Sequence, residues 1–171
     1  MAYAGITATL DGLPYTGPQL LKLNLGCADR PMRGYVNVDL VPPCDQVADL
    51  DKLWPWQNNA IAEIQAWDIF EHLHSKINTM NEAHRVLAPG GKLDLLVPTT
   101  AGFGAFQDPT HKSFWTPNDL FYYCENYGQG EWQRFHKSYG ITARFRLLVN
   151  PEHRQLVHNV WKLRAILEAV K

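Results

Sequence analysis

Two short stretches of this chain hold residues whose types and spacing suit chemistry. In the first, Leu21 to Asp39 (LKLNLGCADRPMRGYVNVD), an apolar strand runs into a small-residue turn around Gly26, and a second strand ends on Asp39. A turn of this kind puts backbone N–H groups at the edge of a crevice. A carboxylate at the tip of the neighbouring strand then accepts hydrogen bonds from a ribose diol, a combination suited to a nucleoside-containing ligand. In the second stretch, Gln107-Asp108-Pro109-Thr110-His111-Lys112-Ser113-Phe114-Trp115, a histidine follows an aspartate in a loop. Its reference pKa near 6.5 lets His111 accept a proton from an alcohol or amine near neutral pH, with Asp108 placed to orient it. An Asx turn at Asp108-Pro109 with a surface histidine is the competing reading.

The first stretch is a poor pyrophosphate site. Glycines spaced as G-x-G-x-x-G let backbone approach phosphates, but the register here gives Gly26, Ala28 and Pro31. Asp39 also comes 13 positions after Gly26, where dinucleotide sites place their acidic residue about 20 on. A nucleoside cofactor without phosphates tolerates this turn better.

The elements that must position these residues follow from periodicity. Strands are expected at about 21–25, 35–40, 46–48, 62–67 and 92–97, with a helix over 75–87 where Ile77, Met80, His84 and Leu87 recur at helical spacing. Ala88-Pro89-Gly90-Gly91 stops that helix. Thr116-Pro117-Asn118-Asp119 signs a second helix start. Residues 141–150 and 154–163 flank Asn150-Pro151-Glu152-His153, which reads as a hairpin turn. Strands alternating with helices imply parallel crossovers, and a terminal hairpin adds antiparallel strands at one edge. The expected fold is an α/β, Rossmann-like sandwich with a mostly parallel sheet. Residues 1–20, with Gly5, Gly12 and Gly17, read as an irregular lead-in to a single domain over 21–171.

At this point the chain resembles a small class I S-adenosylmethionine-dependent methyltransferase of the type 11 kind. LNLGCADRPMRGYVNVDL is similar to that family's first cofactor motif and acidic strand end. ADLDKLWPW resembles the segment beside the adenine, and IQAWDIFEHL resembles the fourth-strand motif. NEAHRVLAPGGKLDLLVP resembles the helix, Pro-Gly-Gly turn and fifth strand. The resemblance spans about Leu21 to Val97, and the Asp108–His111 loop resembles the family's D-P-x-H loop.

What the resemblance implies is residue by residue. Gly26, Cys27 and Ala28 would wrap the methionine part of the cofactor. Asp39 would take the ribose hydroxyls, with Leu40 lining the adenine. Asp49 would sit near the adenine amine and Leu50 would pack on its ring. Asp68, Ile69 and Phe70 would line the crevice beneath the sulfonium. Ala28 departs from the family, which commonly has glycine there. If the position needs positive φ, alanine costs about 1 kcal/mol or more. The implied activity is methyl transfer to an oxygen or nitrogen acceptor. A cofactor-binding module without catalysis and a nucleic-acid methyltransferase are the alternatives. Against the last, Asp68-Ile69-Phe70-Glu71 stands where amino-methylating DNA enzymes carry an N-P-P-Y-type tetrad.

Several residues have plainer readings. Asp49 equally suits a turn cap in Asp49-Leu50-Asp51. Glu71-His72-Leu73-His74 offers metal-ligating types, but His72 and His74 are two apart at the start of a helix, a spacing that suits one face only on a strand, so no metal is expected. Cys27 reads as a small packing residue. Phe103, Phe106, Phe114, Trp115, Tyr122 and Tyr123 either line an aromatic acceptor pocket or belong to the core.

Composition bounds the rest. With 46% apolar residues the chain lies outside the disordered range. It has no 18-residue apolar run, so no membrane span is expected. Three widely spaced cysteines offer no disulfide framework and fit a reducing cytoplasm. The net charge of −1 excludes a global basic field for nucleic acid, yet residues 131–171 hold eight Lys and Arg against three Asp and Glu. That segment is either a solvated basic hairpin or a face toward an anionic small-molecule acceptor.

Overall fold

The structure, a computed structural model, describes residues 20–149 and 151–171; the expected lead-in falls outside them apart from Leu20. Alternation in LKLNL makes β1 (Leu21–Leu25), with Leu23 and Leu25 fully buried. β2 (Val36–Asp39), β3 (Gln46–Val47), β4 (Ile61–Trp67) and β5 (Leu87–Pro98) run parallel to it. β6 (Phe145–Leu147), β7 (Glu152–Gln155) and β8 (Trp161–Ala169) complete a mixed sheet of order β3-β2-β1-β4-β5-β8-β6, with β7 also on β8. The expected α/β class and mostly parallel sheet are what is found.

Helix α1 (Lys76–Val86) starts where the Ser75 hydroxyl accepts the Asn78 N–H at 3.2 Å, satisfying one of the free donors of the first turn. It buries Thr79, Met80, Ala83 and Val86 against the face of the sheet that carries Leu23, Leu25, Val38, Ile64, Leu93 and Leu95. Trp54, Phe70 and Trp115 extend this core, their rings 6.5 and 6.3 Å apart in turn. The chain goes extended at once after α1, so β5 begins at Leu87, before Pro89-Gly90-Gly91 and not after it. Its pairing with β4 shifts register between Ile61 and Glu63 to absorb the turn.

The helix start expected at Thr116 is found, opening a 3₁₀ helix, Pro117–Tyr122, in which the Asp119 carboxylate accepts both the Thr116 N–H and its hydroxyl. One expectation needs correction. Asn150 of the expected turn lies outside the described residues, and the turn is not at Pro151–His153, because Glu152–Gln155 is itself β7. The chain reverses at Val157–Asn159, where His158 and Asn159 hold positive φ, a conformation both types adopt more readily than most. β6 pairs with Leu167–Ala169 and β7 with Trp161–Arg164, so the two follow one another along the same edge of β8.

The connections β1–β2 (residues 26–35) and β2–β3 (residues 40–45) carry no helix, although parallel crossovers usually need a dozen or more residues. Among the described residues, helices therefore cover one face of the sheet only. The other face is a polar lattice. Glu63 pairs with Lys22 at 2.8 Å and takes the Tyr35 hydroxyl at 2.5 Å. Asn24 joins Asn37 and Gln65, and Arg164 joins Asp94. Asn24 and Asn37 are buried polar residues that satisfy one another, which removes the cost of leaving an amide unpaired.

Candidate functional site

The carboxyl ends of β1, β2, β3 and β4 meet along one edge, the place where open α/β sheets bind ligands. Gly26 turns there at φ +64°, and a Cβ on it would lie 2.8 Å from the Ile69 side chain, so no larger residue fits between the first turn and the end of β4. Cys27 donates its N–H to Val38 O at 3.1 Å, and Ala48 donates to Asp39 O at 2.9 Å. Gly26, Cys27, Ala28, Asp39 and Ile69 thus lie together at this edge, with Asp49 next in the chain after Ala48. Ala28 does take positive φ, +43°, the strained setting the sequence raised. Burial and the Asp39 charge push the Cys27 thiol pKa up, which lowers its thiolate fraction.

The Asp39 carboxylate accepts the Ala28 N–H at 2.9 Å through Oδ2 and the Leu40 N–H at 2.7 Å through Oδ1. Oδ1 also accepts the Val41 N–H at 3.4 Å, so these bonds fix the carboxylate's orientation and leave a lone pair on Oδ2 for a further donor. Leu40 beside it is exposed. Asp49 accepts the Asp51 N–H at 3.1 Å and pairs with Lys52 at 3.1 Å, contacts that lower its pKa and match the turn-capping reading. Leu50 is packed into the core.

Phe70 is the clear departure. It is fully buried between Trp54 and Trp115, so its side chain does not line the crevice. Asp68 does, at positive φ, with Lys162 Nζ 2.6 Å from its Oδ1. This ion pair borders two cavities. One, of about 390 Å³, is lined by Arg30, Trp67, Leu96, Arg154 and Arg164 among others. The second, of about 200 Å³, is lined by Glu71, His72, Gly104, Asp108 and His111 among others.

Around that second cavity the expected pairing changes partners. His111 Nδ1 bonds Ala105 O at 2.9 Å, while Asp108 lies 3.9 Å from Nε2, beyond hydrogen-bond reach. Asp108 instead accepts the Thr110 N–H at 2.8 Å and its hydroxyl at 2.6 Å, the Asx-type turn. Those two bonds hold its carboxyl below the usual range. The His111 side chain is only 7% exposed, so the surface-histidine reading fails. Ala105, not Asp108, orients it.

The loop is bolted in place. Lys112 and Ser113 both donate N–H to Glu71 O, at 2.8 and 2.9 Å, and Ser113 Oγ donates to Phe70 O at 2.9 Å. Trp115 and Tyr123 are core, whereas Phe103, Phe106 and Phe114 are exposed, the last two with rings 5.1 Å apart.

The sequence raised Glu71 only within Glu71-His72-Leu73-His74, and it did not single out Lys162. Glu71 is 2% exposed with Oε2 unpartnered, and burial pushes its pKa up to about 8. Lys162 lies 94 positions from Asp68, so no spacing could signal it. Only the antiparallel pairing Pro98↔Lys162 brings it to this edge. His74 turns away to Asp51, 2.7 Å from its Nδ1, while the His72 ring lies 4.8 Å from that of His111.

No protein-family model matches this chain, and no curated protein matches it. Solved structures do. A putative sarcosine dimethylglycine methyltransferase from Galdieria sulphuraria superposes with a TM-score of 0.61 at 13% identity, covering 89% of this chain and 79% of the other. A SAM-dependent methyltransferase from Methanosarcina mazei gives 0.59 at 12% identity, covering 91% and 95%. A didemethyltoxoflavin N1-methyltransferase from Burkholderia thailandensis, solved with its substrate and S-adenosylhomocysteine, gives 0.56 at 12% identity, covering 88% and 71%. No helix among the described residues is long and apolar enough to cross a membrane. With its strand order, its Gly26 turn and its Asp39 strand end, this chain has the class I methyltransferase fold.

Proposed function

We propose that the protein is an S-adenosylmethionine-dependent methyltransferase acting on an oxygen or nitrogen of a small acceptor. The observation that carries this reading is the row Gly26, Ala28, Asp39 and Asp68 along one sheet edge, with an open cavity of about 200 Å³ beside Asp68. The residues fit the cofactor: the Gly26 turn admits no Cβ, and Asp39 is pre-oriented by its own loop. Bound there, the cofactor supplies an activated methyl group.

The chain's residues position the reactants. Asp39 accepts ribose hydroxyls, and the Gly26–Ala28 backbone holds the amino-acid end. The Asp68–Lys162 pair lines the acceptor cavity at the end of β4. Holding two reactants in register accounts for much of such a rate enhancement. The cavity at His111 takes the acceptor, and Phe106 and Phe114 stand on the segment that borders it. A nucleic-acid acceptor is not favoured, because half of the eight Lys and Arg of residues 131–171 are paired internally: Arg144 with Glu125, Arg146 with Glu168, Lys162 with Asp68 and Arg164 with Asp94.

Calorimetric titration with S-adenosylhomocysteine, followed by an acceptor screen with methyl-labelled cofactor, tests the reading. One-to-one binding and label transfer support it. Absence of binding to folded protein overturns it, and binding without transfer to any acceptor class leaves the non-catalytic module.

A further inference from the structure

We propose that Glu71, His72 and His111 form a binding site for one divalent transition-metal ion at the floor of the acceptor cavity. Each residue offers a ligand atom, and the three atoms lie within 4.8 Å of one another. They come from two segments, the 3₁₀ helix Phe70–His72 after β4 and the loop after β5. The hydrogen bonds from Lys112 and Ser113 to Glu71 O lock those segments together.

The surrounding hydrogen bonds prepare both imidazoles. His111 donates Nδ1–H to Ala105 O at 2.9 Å. The Thr110 hydroxyl hydrogen is committed to Asp108 at 2.6 Å, so Thr110 Oγ1 accepts from His72 Nδ1 at 3.0 Å. Both rings are therefore held as the Nδ1–H tautomer with the Nε2 lone pair free. A carbonyl or hydroxyl behind each ligating histidine is the usual support at metal sites.

Glu71 supplies the independent sign. It is 2% exposed, and its Oε2 has no partner among the described residues. A buried polar atom without a partner is costly, and a bound cation satisfies it. Two imidazoles and one carboxylate suit Zn²⁺ and its neighbours, and such a set leaves coordination positions open. Glu71, His72 and His111 all line the roughly 200 Å³ cavity, where an acceptor would reach an ion they held. Resting on the methyltransferase reading, the acceptor is then a hydroxyl-bearing molecule that coordinates through oxygen. The metal eases loss of the hydroxyl proton to solvent.

The test uses chelator-treated full-length protein. Co²⁺ uptake is followed by visible absorption and Zn²⁺ uptake by calorimetry, with S-adenosylhomocysteine titrated separately. One equivalent should bind without a thiolate charge-transfer band. Glu71→Gln and His111→Gln should weaken uptake by at least about 100-fold, and Thr110→Val by about 10- to 100-fold. His74→Gln, outside the cluster, should leave it unchanged. No uptake by the wild-type protein overturns the site and leaves the three side chains as a metal-free polar cluster; so does a thiolate band, or uptake that survives Glu71→Gln in folded protein. Failure to bind metal with S-adenosylhomocysteine still bound removes the metal alone. Metal uptake without S-adenosylhomocysteine binding upholds this site and removes the cofactor reading.

Discussion

Asp39 and Ala28 share one hydrogen bond, yet they fail in opposite directions when changed. The Asp39 carboxylate is aimed by the Ala28 and Leu40 N–H groups, and a hydrogen bond to a charged group is worth roughly 1.5–3 kcal/mol. Asp39→Ala should weaken S-adenosylhomocysteine binding by about 10- to 150-fold in calorimetry, with the fold intact by circular dichroism. Ala28 sits at φ +43°, where a side chain clashes with backbone and glycine does not. Ala28→Gly should therefore stabilise the protein by about 1 kcal/mol in urea unfolding. An unchanged midpoint would mean the turn relaxes around alanine.

At the scale of elements, the acceptor side depends on how the loop after β5 is fastened to the 3₁₀ helix after β4. Ser113 is the fastener: its buried hydroxyl donates to Phe70 O and accepts from Trp115 Nε1 at 3.2 Å. Ser113→Ala leaves the Trp115 indole N–H unpaired in the core, while Phe70 O keeps the Leu73 N–H at 3.2 Å. The expected outcome is a loss of about 1–3 kcal/mol in urea unfolding, with acceptor affinity falling more than S-adenosylhomocysteine affinity. Equal losses of both would place the loop over the cofactor instead. The cofactor edge has a different construction. β1 and β2 are joined by loop alone, so the Gly26 turn is held by strand-end hydrogen bonds and by contact with Ile69, not by a helix beginning there.

The whole molecule is closed by its C-terminal strand. β8 lies between β5 and β6, and its end is tied to α1 where His84 Nε2 meets Val170 O at 2.8 Å. Burial lowers the His84 pKa, and nearby Lys171 and Arg144 add to the effect. The folded protein thus binds this proton less readily than the unfolded chain, whose histidine titrates near 6.5. Its contribution is present in full above about pH 6.5 and is lost as the pH falls below it. The urea midpoint should drop between about pH 7 and pH 5, and the drop should shrink in His84→Gln. An identical drop in both proteins would assign the acid sensitivity elsewhere.

By itself the sequence determined what is local. Alternation in Leu21–Leu25, the helical spacing capped by Ser75, and the Gly26-to-Asp39 interval fix β1, α1 and the cofactor edge, because each depends on neighbours within one or two turns or strands. It also placed His111 at the crevice edge, since loops after parallel strands must emerge there. Tertiary structure decided everything that joins distant residues. It replaced Asp108 with Ala105 as the partner of His111, turned Phe70 into the core, and brought Lys162 onto Asp68. It also buried Glu71 between His72 and His111. Spacing carries no record of these contacts, which depend on the pairing of β8 with β5 and on which way each side chain faces once the core is filled.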